Sequence, residues 1–298
     1  MTSTPHPLTG FRLLSLALNM PGPAALMRCR GMGASCVKIE PPGGDPMAQY
    51  NAAAYAEMHE GVKVLSADLK SESGRAALHK ELQRTDVLLT SFRPSALARL
   101  GLSWNELHTR YPMLCQVSIV GAPGAQADEP GHDLTYLARH DLVPGLELPA
   151  TLYSDMGGSL MASEAVLQAA LHLSARYAGE GETPRGIHIE VALSDAAAYL
   201  GLPRRWGLTR PGGAVGGAHA GYRVYPCRDG RVAVAALEPH FAAALCARAG
   251  LPLPDRCDMS APSTREAITA FFARSTCEEL DRMAREHDIP LLTMHAAT

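Results

Sequence analysis

Three short segments carry side chains able to move protons or attack a carbonyl: Gly131-His-Asp133, Asp155-Met-Gly-Gly158 and Leu237-Glu-Pro-His240. Asp155 reads as the N-cap of a long helix, and a capping aspartate is its plain interpretation. The same geometry offers more. Free N–H groups at a helix start, with Gly157 and Gly158 permitting close approach, can hold a developing oxyanion. A carboxylate beside such a hole can take a proton next to a carbonyl, or attack the carbonyl itself. His132 lies in an irregular stretch, where a solvated loop histidine is the plain alternative to a proton carrier. Glu238 reads by default as a helix-start carboxylate.

Positioning these groups falls to an alternation of strand and helix signals. Phe11–Leu18, Ser35–Glu40, Val64–Leu69, Asp86–Phe92 and Leu114–Val120 are short apolar runs. Helical patterns separate them, with Ser71 as a cap and Ser103-Trp-Asn-Glu106 as a capping box. Continuous apolar strands between helices predict a parallel sheet covered on both faces, a doubly wound, Rossmann-like α/β domain. A long helix from Asp155 to about Ala178, a strand over Gly186–Val191 and an Ala-rich helix complete it. The segment Pro203–Ala220 reads as a linker, placing a boundary near 205: a large domain over 1–205 and a smaller α+β domain over 206–298. In the latter, Arg228-Asp-Gly230 joins the strands of a hairpin, and helices fill the remainder, one opened by a capping box at Ser275-Thr-Cys-Glu278.

Gly31-Met-Gly33 follows a helix rather than a strand and lacks the third glycine of a dinucleotide fingerprint, so it reads as a helix C-cap. The net charge of −3 offers no basic field for nucleic acid or anionic lipid. The seven cysteines form no C-x-x-C pair, which suggests neither a zinc site nor a disulfide framework, and a reducing cytoplasm fits them. No apolar run reaches membrane-spanning length, and the N-terminal residues do not read as a signal peptide.

The segments Val37–Asp45, Ala67–Ser71, Phe92–Leu102, Gly131–Tyr136, Asp155–Ser159 and Ala236–Phe241 occur in one order that resembles the family III CoA-transferase group. Within it, the histidine of GHDLTY makes the chain most similar to the α-methylacyl-CoA racemases. The resemblance implies that Asp155 and His132 exchange a proton with opposite faces of an acyl-CoA α-carbon. It implies that Glu238 orients His132, that Arg93 contacts CoA phosphates, and that Lys38 and Lys70 sit in CoA-binding segments. It further implies a homodimer and an acyl-CoA substrate. No His/Cys/Asp cluster has metal-ligand spacing, so no metal is expected, and a thioester acidifies its own α-carbon, so no cofactor beyond the CoA moiety is expected. Relatives continue beyond the Asp288-Ile-Pro-Leu-Leu segment, so the smaller domain reads as shortened. Two other activities share the resemblance: a CoA transferase working through an aspartyl-CoA anhydride at Asp155, and a CoA-binding protein without catalysis.

Overall fold

The parallel sheet is built from strands whose successive residues bury themselves on opposite faces. The computed structural model describes residues 6–174, 185–252 and 258–295. They fall into two compact units, Met1–Gly201 and Leu202–Thr298.

In the larger unit the chain runs β1 (Arg12–Ser15), α1 (Pro21–Gly31), β2 (Ser35–Glu40), α2 (Pro46–Tyr50), α3 (Ala52–Met58), β3 (Lys63–Ser66) and α4 (Glu72–Leu82). It continues with β4 (Val87–Thr90), α5 (Pro94–Arg99), α6 (Trp104–Arg110), β5 (Cys115–Val120), α7 (Asp133–Arg139), α8 (Tyr153–Ser174), β6 (His188–Ala192) and α9 (Leu193–Leu200). The six strands pair in the order β3-β2-β1-β4-β5-β6, all parallel. Strand alternation sorts the core into two layers. Leu13, Val87, Leu89 and Val117 meet Leu26 of α1 and Val166 of α8 on one face. Leu14, Val37 and Leu88 meet Leu78 of α4, Leu97 of α5 and Leu107 of α6 on the other. Strand order reverses between β1 and β4, so a crevice opens at the carboxyl ends there, the usual ligand position of such sheets.

Caps follow local chemistry. Ser71 Oγ accepts the Gly74 N–H at 3.0 Å, as expected, and Ser103 and Glu106 form their box. The helix carrying Asp155 departs from expectation. It starts at Tyr153, so Asp155 is its third residue and not its cap. The stretch expected beyond Ser174 to Ala178 lies outside the described residues.

The smaller unit holds α10 (Leu202–Arg205), the hairpin β7 (Tyr222–Cys227) and β8 (Gly230–Ala235), then α11 (Pro239–Arg248), α12 (Pro262–Ala273), α13 (Cys277–His287) and β9 (Leu291–His295). β9 replaces part of the expected helical remainder. Asp288 turns left-handed at φ 50° and ends α13, and Leu291–His295 then joins β8 antiparallel. The capping box slips by one residue. Thr276 Oγ1 accepts the Glu279 N–H at 3.2 Å and Glu279 accepts the Thr276 N–H at 2.8 Å. The Ser275 hydroxyl instead donates to the Phe271 carbonyl of α12 at 3.2 Å. Val232, Val234, Leu245, Ile268 and Phe272 form this unit's own core.

Candidate active site

A cavity of about 330 Å³ opens where strand order reverses. Asn19 and Met20 enter it after β1, Phe92 and Arg93 after β4, and Gly121 after β5, while α7 and α8 contribute His132 and Asp155. A larger hollow of about 710 Å³ runs along the small sheet past Tyr222, Val224 and Leu292. Among the described residues no carboxylate, thiol or imidazole lines it, so it offers no pair of groups that exchange protons near neutrality.

The environment of Asp155 is set by burial and by one neighbour. Its carboxyl is pushed up to about 6, first by burial and then by the negative charge of Asp133, with His132 acting in the opposite sense. Asp133 is itself buried and accepts the Asp155 backbone N–H at 3.0 Å. His132 is the N-cap residue of α7, exposed on the cavity wall. Its N–H donates to Thr135 Oγ1 at 3.0 Å, and the Thr135 hydroxyl returns a bond to its carbonyl at 2.7 Å. Tyr136 completes this wall. A Cβ on Gly131 would stand 2.6 Å from its hydroxyl, so the glycine before His132 makes room for the phenol.

Across the cavity, Asn19 is held in the left-handed region at φ 64°. Its N–H donates to both Asp45 oxygens, at 3.0 and 3.2 Å, and its side-chain carbonyl accepts the Tyr50 hydroxyl at 2.8 Å. Asp45 also accepts the Met47 N–H at 2.9 Å. Behind Asp45 stands Lys38. Here the expectation of a CoA-contacting lysine needs correction, because Lys38 has 0% exposure. Its ammonium meets Asp45 at 2.5 Å, Glu40 at 3.0 Å and His59 Nε2 at 2.8 Å, which occupies all three of its protons. Lys38 therefore anchors the loop after β1.

The glycines after Asp155 also need correction. As the fifth and sixth residues of α8, Gly157 and Gly158 lie beyond the turn whose N–H groups lack helical partners. The Met156 N–H already bonds to the Leu152 carbonyl at 2.9 Å. A Cβ on Gly157 would lie 3.1 Å from Leu200 Cδ1, and one on Gly158 would overlap Leu193 Cδ2. Both glycines serve the close packing of α8 on α9.

Arg93 is exposed on the cavity rim, and Lys70 is exposed beside an adjoining hollow of about 150 Å³. Phe92 lines both, so an extended ligand joining them would pass both cations. Glu238 is the exposed N-cap residue of α11. It belongs to the smaller unit, so no single unit holds it together with His132.

A family model for CoA-transferase family III matches residues 8–297. The chain belongs to that family. Among family III relatives, a probable fatty acyl-CoA transferase of Mycobacterium tuberculosis is 30% identical over 191 residues, covering 57% of this chain and 48% of its own. The cinnamoyl-CoA:phenyllactate CoA-transferase of Clostridium sporogenes is 30% identical, covering 68% and 53%. The human α-methylacyl-CoA racemase is 27% identical, covering 91% and 73%. The chain thus spans about half the length of the first two curated relatives. A solved structure of a hypothetical protein from Mycobacterium tuberculosis superposes with a TM-score of 0.83 at 23% identity, covering 98% of this chain and 86% of that one, and shows the same fold. Family III relatives thus include both transferases and a racemase. No helix among the described residues is long and apolar enough to cross a membrane.

Sequence reasoning missed Asn19, Tyr50, Asp133 and Tyr136. Asp133 and Tyr136 stood inside the GHDLTY segment and could have been taken with its histidine. Asn19 and Tyr50 meet only through the fold.

Proposed function

We propose that this chain is an acyl-CoA racemase or epimerase that inverts the α-carbon of a 2-methyl-branched acyl-CoA by proton transfer between two groups. The supporting observation is that His132 and Asp155 line one cavity at the strand-order reversal. Asp155, lifted to about 6, is a base whose conjugate acid can also return a proton near neutrality. It removes the α-proton on one face while His132 delivers one to the other, and the roles exchange for the opposite enantiomer. The Asn19 amide, whose oxygen is taken by Tyr50, keeps its N–H₂ end as a donor for the enolate oxygen. Arg93 and Lys70 would take the CoA phosphates and adenine side. The thioester itself acidifies the α-carbon, so the reaction asks for no cofactor beyond the CoA moiety. Glu238 would orient His132 across a homodimer.

Incubating one enantiomer of a 2-methylacyl-CoA in deuterated water is the test. Inversion gives α-deuterium and both enantiomers, and His132→Ala abolishes both. No α-exchange with any branched thioester refutes the reading. The names of the relatives favour one alternative, CoA transfer through an aspartyl-CoA anhydride. Hydroxylamine trapping of an acyl group at Asp155, with carboxylate-dependent CoA exchange, would mark it.

A further inference from the structure

At one end of the small sheet, side chains from a hairpin, a helix and a third strand gather round Gly230. Cys227 closes β7, Asp229 sits in the turn, Cys277 opens α13 and His295 ends β9. The Cys227 and Cys277 Sγ atoms stand 3.6 Å apart across 50 residues of chain. A carboxylate oxygen of Asp229 joins them, all three ligand atoms lying within 4.8 Å of one another. That carboxylate is fixed in place, because its Oδ1 accepts the Cys277 N–H at 2.8 Å.

His295 stands outside that group of three and is the fourth candidate by its place on the neighbouring strand. The β8–β9 register places it opposite Gly230. A Cβ on Gly230 would stand 3.1 Å from Cys277 Sγ and 3.1 Å from the His295 Cα. The closest contact of that Cβ would be the Met294 carbonyl oxygen, so the packing of β9 on β8 requires the glycine, and that packing brings the His295 backbone up to the Cys277 thiol.

Tetrahedral zinc fits this set. Zn–S bonds of about 2.3 Å put two thiolates roughly 3.8 Å apart, close to the separation found here. Two sulfurs, an imidazole and a carboxylate are the donors that zinc accepts. The other histidine–carboxylate cluster, Glu40, Asp45 and His59, is different, because the Lys38 ammonium already fills its centre.

We propose that Cys227, Asp229, Cys277 and His295 form a structural zinc site that ties the hairpin tip to the start of α13 and the end of β9. Sequence spacing concealed it, since the ligands come from three elements and no C-x-x-C pair is among them. The site lies within the smaller unit, and the proposal is independent of the acyl-CoA reading.

The test uses the full chain, fully reduced with a phosphine and stripped by a chelator, then titrated with Co²⁺. One equivalent gives the intense visible bands of tetrahedral cobalt and a near-ultraviolet thiolate-to-cobalt charge transfer, both bleached by Zn²⁺. Cys277→Ser removes the charge-transfer intensity from that thiolate. It weakens zinc binding by more than the roughly 10–100-fold that loss of an outer-shell partner costs. His295→Ala weakens binding and alters the cobalt bands, and a variant indistinguishable from wild type overturns the fourth-ligand assignment. Should Cys277→Ser fail to fold, wild-type protein still decides the matter. Zinc must slow alkylation of half-buried Cys227, mapped by mass spectrometry, and raise the melting temperature. Equal alkylation with and without zinc, or no cobalt bands in the reduced chain, overturns the site. A Cys227–Cys277 disulfide in protein isolated without reductant, combined with absent cobalt binding, would identify the pair as redox-active instead.

Discussion

Asp155 carries a carboxyl lifted to about 6 because burial and the Asp133 charge both disfavour its ionised form. A raised carboxyl costs stability as pH climbs from the ordinary carboxylate range through 6, since the folded state holds the proton more tightly than the unfolded chain. Asp155→Asn should therefore stabilise the fold by about 1–3 kcal/mol at pH 8, and by much less near pH 4, while abolishing turnover. Urea unfolding at the two pH values reads this directly, and a variant destabilised at pH 8 would contradict it. The same shift sets the kinetics. kcat/KM should rise with pH along an acidic limb near 6, not near 4. For an inversion with an equilibrium constant near one, both directions must share that profile. Asp133→Asn removes the second cause of the shift and should move the limb to lower pH, measured as the pH dependence of α-deuterium exchange.

At the level of elements, the approach of α8 to α9 is where a small change has a large effect. Gly158→Ala would drive a methyl into Leu193, at a cost of about 1–3 kcal/mol. Adding Leu193→Ala should recover part of the loss, and thermal melts of the single and double variants show whether it does. The strands of the sheet were legible in the sequence because buried parallel strands announce themselves as apolar runs, as Leu114–Val120 does. Ser71 and Ser103 were legible because N-caps are local. Asp155 was misplaced by three residues because a carboxylate in the first helical turn and one at the cap look alike in sequence. Gly157 and Gly158 resembled a ligand-binding turn for a similar reason, since the partner helix that needs them arrives some 40 residues later, at Leu193–Leu200. Lys38 was read as a CoA-contacting lysine because nothing local to VKIE reveals that Asp45 and His59 fold back over it. β9 was missed because its pairing with β8 is long-range.

Over the whole molecule, each unit owns its hydrophobic core, so denaturant unfolding should show two transitions in place of one. Lys38→Met leaves Asp45 and Glu40 facing each other without a cation. It should lower the larger unit's transition by about 3–5 kcal/mol and leave the smaller unit's unmoved. Circular dichroism, followed alongside Trp206 fluorescence after replacement of Trp104 by Phe, separates the two. The excursion from Val120 at the end of β5 to His188 at the start of β6 has a wider consequence. Both proposed proton carriers ride on that single crossover, whereas Lys70 and Arg93 belong to earlier connections. The scaffold thus separates the connections that would grip a carrier from the one that would move the protons. Inheritance could exchange the second as one cassette while the first stays constant, which is how one fold can come to serve enzymes of different reaction classes.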